Sequence, residues 1–167
     1  MKKIIITLAL LSSLLFSEEQ KKSFTLTDIN NTEVVINHKN EKIVVEDDNK
    51  SVLFLLFFGH NCKPCLNEIP EVKALQDKNH KDLKILAFDI HGYNEKDLKK
   101  FQDEKKINYP LFTREDNKKF IAYIKAKTKW RGSLPFMVVF NKKGDAKLAH
   151  KGALNFKKLE TIYKAVK

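Results

Sequence analysis

Residues 52–58 read VLFLLFF, an unbroken run of large apolar side chains with no alternating polar face. Such a run reads as a β-strand covered on both sides. A strand of that kind needs a sheet with structure packed above and below it, which points to an α/β chain. The run leads directly into GHNCKPC, and Cys62 and Cys65 are the only cysteines present. Beyond them Leu66, Ile69, Val72 and Leu75 recur at helical spacing. The pair therefore sits where a buried strand meets an amphipathic helix.

The remaining pattern agrees with that class. LKILAFDI (83–90) reads as a second buried strand, NEKDLKKFQDEKKI as a second amphipathic helix, and NKKFIAYIKAK as a shorter one. PFMVVF (135–140) is a third strand; NKKGD after it signals a hairpin whose partner is AKLAHK, and NFKKLETIYKAV closes as a helix. Ahead of the apolar run, TEVVIN and EKIVVE alternate apolar and polar residues and predict a strand hairpin. The expected fold is α/β, a central mixed sheet flanked by helices with an N-terminal hairpin extension.

Lys2 and Lys3 precede an apolar stretch from Ile4 to Phe16, and Glu18, Glu19 and Gln20 follow. This is the layout of a secretory signal, and it falls short of the roughly 20 residues that a bilayer span requires. Residues 1–17 are expected to be a signal peptide and 18–167 a single domain. Leu15 and Ser17 flank the cleavage position, and Leu is not small, so an uncleaved membrane tether is the alternative. Both readings place the folded part in the periplasm or elsewhere outside the cytoplasm. The formal net charge of +11 raises the question of nucleic acid. The lysines, however, are interleaved with acids, and Arg114 and Arg131 are the only arginines, so a solvated basic surface is expected and nucleic-acid binding is not.

Compartment and spacing then decide among uses for the cysteine pair. As a structural staple it would remove only about 2 kcal/mol of unfolded-chain freedom, because the loop it closes is so short. Zinc would require a second pair of ligands at comparable spacing, and His60, His80 and His91 are scattered. Haem attachment requires His directly after the second cysteine, where Leu66 stands. What remains is redox exchange. At a helix N-terminus the unpaired backbone N–H groups and the dipole favour a thiolate at Cys62. Pro64 suits the first helical turn, where its missing N–H costs nothing.

From Phe24 onward the chain resembles exported thioredoxin-fold proteins of the TlpA/ResA type. VLFLLFFGHNCKPC is similar to their strand plus W-C-x-P-C, NEIPEVKAL to the helix that continues it, and FQDEKKINYP to the stretch before their next strand. RGSLPFMVVFNKKG is similar to their G-x-P strand and hairpin. Asn61 departs from the pattern, standing where the family has tryptophan; Trp130 is expected in the core. The resemblance implies that Cys62 is the attacking thiolate and Cys65 the resolving thiol. It assigns Glu68, on the same helix face as Cys65, to proton handling at the thiols, the alternative being a plain first-turn acid that favours the dipole. It places Pro135, in SLPF, as a cis proline facing the pair, where the backbone of Leu134 could receive an extended substrate strand. Pro70 is structural, Lys63 a solvent-facing charge, and His60 a half-exposed bystander.

The implied activity is thiol–disulfide exchange with protein cysteines. In the TlpA/ResA type this is usually reductive, as in preparing apocytochromes c for haem, with electrons from a membrane thiol reductant. An oxidase that installs disulfides through a membrane oxidant is the rival within that chemistry, and a metal or haem chaperone is the rival of another class. For the exchange reading no cofactor or metal is expected. A peroxidase would need Pro-x-x-x-Thr/Ser-x-x-Cys, and LFFGHN precedes Cys62 instead.

Overall fold

In the computed structural model, which describes residues 22–48 and 50–167, the apolar run is the middle strand of a five-stranded sheet. The leader read from residues 1–17 lies outside the described residues. Three strands come first: β1 (Lys22–Thr27), β2 (Glu33–Lys39) and β3 (Lys42–Val45), an antiparallel sheet in that order. The main sheet comprises β4 (Val52–Phe58), β5 (Leu83–Asp89), β6 (Leu111–Phe112), β7 (Phe136–Phe140) and β8 (Ala146–Lys151). Its spatial order is β6-β5-β4-β7-β8. Helix α1 (Lys63–Asn79) joins β4 to β5, α2 (Glu95–Lys105) precedes β6, α3 (Lys118–Thr128) precedes β7, and α4 (Phe156–Val166) ends the chain. The architecture is thioredoxin-like with an N-terminal antiparallel extension. That extension has three strands where the sequence pattern suggested two.

Strand β4 pairs parallel with β5 and antiparallel with β7, so its backbone groups are satisfied on both edges. The strand period of two sends its side chains to alternate faces. Val52, Phe54, Leu56 and Phe58 join a core with Val72 and Leu75 of α1 and with Leu159 and Tyr163 of α4. Leu53, Leu55 and Phe57 join a second core with Phe120 and Ile124 of α3, Trp130, and Leu26, Ile36 and Ile43 of the N-terminal sheet. Both faces are covered, which is why the strand shows no polar alternation.

Two backbone hydrogen bonds tie the N-terminal part to the main sheet and its β7–β8 turn. Ile29 N donates to Leu111 O at 3.0 Å, and Ile43 N donates to Gly144 O at 2.9 Å. Gly144 lies in the β7–β8 turn at φ +81°, and a Cβ there would stand 2.8 Å from Ile43 O, so conformation and close approach both call for glycine. Trp130, 3% exposed, stacks on Phe136 with ring centroids 4.9 Å apart and donates Nε1–H to Ser133 O at 2.8 Å. Phe57 contacts Phe88, Trp130 and Phe136 in the same cluster. Phe57→Ala should therefore cost about 3–5 kcal/mol by cavity formation. The emission of Trp130, the only tryptophan, should shift to the red in the folded variant. A loss in urea unfolding below about 1 kcal/mol would contradict this packing account.

Candidate active site

Strand β4 ends at Phe58, and Gly59, His60 and Asn61 form the turn into α1. Cys62 is the N-cap of α1 in extended conformation, and its Sγ accepts a hydrogen bond from Cys65 N at 3.3 Å. That is the cap geometry in which a side chain satisfies an orphan N–H of the first turn, here with sulfur as acceptor. Cys62 and Cys65 form a disulfide with Cα atoms 5.2 Å apart, an ordinary separation. Cys62 is half-buried, while Cys65 is 2% exposed within the core. A partner disulfide can therefore reach Cys62 and not Cys65. Pro64 lies in the first turn and Pro70 inside the helix, where it removes one backbone hydrogen bond.

Glu68 is buried on the α1 face that carries Cys65. It is not a first-turn acid; that turn contains none. Its Oε1 accepts from Leu154 N at 2.8 Å, and Glu71 Oε2, one turn on, accepts from Phe156 N at 2.8 Å. The two carboxylates hold the segment that leads into α4. Burial raises the carboxyl of Glu68 to about 7, and the Leu154 N–H only partly opposes it. Tyr109 lies against the same space; burial, helped by the charge of Glu68, pushes its phenol well above the usual range.

Cys65, Glu68, Tyr109 and Pro135 line one small cavity of about 20 Å³, room for roughly one water molecule. The Leu134–Pro135 peptide bond is cis, and Leu134 packs against both cores. The fold thus gathers three of the sequence-derived site residues, Cys65, Glu68 and Pro135, around one space. Lys63 and Asn61, on either side of Cys62 in the chain, are exposed.

His60 differs from the sequence expectation. Its side chain is only 14% exposed, and its Nδ1 lies 3.2 Å from Oδ2 of Asp89, which is fully buried at the end of β5. The ring of Tyr93 stacks on that of His60 with centroids 3.4 Å apart. Asp89 also accepts from the backbone N–H of His60, His91, Gly92 and Tyr93. Asn61 Oδ1 hydrogen-bonds His91 Nδ1. Sequence reading missed Asp89, His91 and Tyr93. The available signal was an Asp ending an apolar strand three residues before a glycine, the mark of a carboxylate that caps a turn.

Among the described residues no group of three or more His, Cys, Asp or Glu side chains could hold a metal ion, and no helix is long and apolar enough to cross a membrane. Residues 17–149 match the AhpC/TSA family. No curated protein sequence gives a significant match. Among solved structures the chain is similar to StoA from Bacillus subtilis, at 14% identity and TM-score 0.63, covering 86% of this chain and 97% of that one. A thiol:disulfide interchange protein from Chlorobium tepidum aligns at 18% identity and TM-score 0.64, covering 86% and 92%. A secreted Mycobacterium tuberculosis disulfide oxidoreductase aligns at 14% identity and TM-score 0.63, covering 85% and 95%. At these identities the likeness establishes the fold.

The raised carboxyl of Glu68 has a consequence for stability. The folded protein holds this proton to about 7, whereas the unfolded chain releases it near 4.5. The resulting stabilisation is complete below the unfolded value and is lost as pH rises through the folded one. In the oxidised protein, where neither cysteine titrates, wild type should lose about 2–4 kcal/mol relative to Glu68→Gln between about pH 4.5 and pH 8. Parallel stability–pH curves from urea unfolding would show that Glu68 is not held in this way.

Proposed function

The chain belongs to the AhpC/TSA family, and on that premise we propose that it is an exported thiol–disulfide oxidoreductase whose Cys62–Cys65 pair reduces disulfides in exported proteins. The observation that carries this reading is the unequal placement of the two sulfurs. Cys62 caps α1 where partners can approach, and Cys65 is sealed beneath it beside Glu68.

In the reduced protein the Cys65 N–H and the α1 dipole favour the thiolate at Cys62. That thiolate attacks one sulfur of a substrate disulfide; a Cys62–substrate disulfide forms and the other substrate sulfur leaves as a thiolate. Cys65 then gives up its proton and attacks Cys62 Sγ, closing the internal disulfide and releasing the second substrate thiolate, which takes up a proton. Two electrons pass from the cysteine pair to the substrate. A carboxyl that titrates near neutrality in the same cavity is suited to receive the Cys65 proton, directly or through one water. A membrane thiol reductant restores the dithiol.

The reductive direction and the choice of apocytochrome c as a substrate class rest on the TlpA/ResA resemblance. Export rests on the leader pattern of residues 1–17 and is supported by the secreted structural neighbour. Peroxidase chemistry is not part of this reading, because the residues before Cys62 lack the Pro and Thr/Ser that it needs.

Cys65→Ala should trap partners as mixed disulfides through Cys62, seen as reducible high-mass bands in exported fractions, and Cys62→Ala should give none. Apocytochromes or a membrane thiol reductant in the bands would support the reductive assignment. Many unrelated exported proteins would instead identify an oxidase. Absence of bands together with stoichiometric metal binding would overturn the oxidoreductase reading.

A further inference from the structure

Cys62 N donates to Gly59 O at 3.0 Å, closing a turn whose central residues are His60 and Asn61. Both side chains are held by the end of β5 and the segment after it, His60 by Asp89 and Tyr93 and Asn61 by His91. A Cβ on Gly59 would collide with the His91 ring, so the turn and that segment pack in direct contact. The turn that delivers Cys62 is thus pinned from the side by a cluster to which the exchange chemistry assigns no role.

Within the cluster the two nitrogens of His60 are not equivalent. Nδ1 faces both oxygens of the Asp89 carboxylate, at 3.3 and 3.2 Å, and so carries a hydrogen. Nε2 makes no hydrogen bond among the described residues and is not a sealed, unsatisfied atom. An imidazole oriented through one nitrogen by a buried carboxylate, with the other free to exchange a proton, is the arrangement that activates a neighbouring nucleophile.

We propose that His60 is the base that governs how readily Cys62 gives up its proton. The proton leaving Cys62 Sγ is taken up at His60 Nε2, directly or through water, leaving a thiolate beside an imidazolium that Asp89 steadies. No electrons move in this step. The titratable or charged groups against the His60 ring are Asp89 at the end of β5 and His91 and Tyr93 after it, and Cys62 and Lys63 follow His60 by two and three residues in the chain. Beyond Tyr93, Asp97 and Lys100 of α2 line the adjoining surface. Of these only Asp89 touches a ring nitrogen of His60.

The test is the pH profile of Cys62 alkylation by iodoacetamide in the reduced full-length protein, read by peptide mapping between about pH 5 and pH 9. Removing a neighbouring cation shifts a thiol by about one pH unit, so His60→Gln should slow alkylation about tenfold on the acid side of the profile. His60→Phe, which preserves the stack on Tyr93, should do the same, with thermal unfolding close to wild type in both. His91→Gln should leave the profile in place. The inference is overturned if either His60 variant superimposes on wild type, or if His91→Gln gives the same shift. It rests on Cys62 being the reactive thiol, which the wild-type labelling reports separately. Predominant label on Cys65 would overturn both readings, whereas label on Cys62 with an unshifted profile would overturn only the part assigned to His60.

Discussion

The burial of β4 on both faces is the constraint on which the rest of the structure depends. Its odd and even side chains are locked into separate cores, so the strand cannot slide by one residue without exposing one set and clashing the other. That register fixes where Phe58 ends the strand, and a short turn later Cys62 becomes the cap of α1. The chemistry of the cysteine pair is inherited from that placement. A sulfur at a helix N-cap faces orphan N–H groups, and a sulfur one turn further along points into the core.

The two sulfurs consequently meet opposite surroundings. Cys65 shares a small, mostly apolar cavity with Glu68, where burial keeps a carboxyl protonated up to about neutral pH. Cys62 emerges from a turn whose side chains are polar and held by Asp89 and His91. Glu68 also accepts from Leu154 N and so has a structural load as well as a chemical one. A substitution there is informative only when the isosteric amide, which can still accept that bond, is used.

Much of this was legible in the sequence because the strong signals are local. The run at 52–58, the helical spacing after Cys65 and the NKKGD turn each specify an element within about ten residues, the range over which hydrophobic periodicity operates. Strand β6, two residues long, is too short to carry a period, and β1 has only Phe24 and Leu26 to mark its alternation. The His60–Asp89 contact joins residues 29 apart in the chain, and no local pattern encodes it. His60 looked inert for that reason: its partner is created by the β4–β5 pairing, which aligns Phe58 with Asp89.

The central claim is that Cys62 and Cys65 form a reversible two-electron couple poised to give electrons. Equilibration of the protein in graded dithiothreitol buffers, with thiols counted after acid quenching, measures it most directly. The account predicts a single reversible two-electron transition with a potential toward about −300 mV, the range of a reductant. A potential near about −120 mV would contradict the reductive assignment, and a pair that fails to interconvert with the buffer would contradict the exchange chemistry altogether.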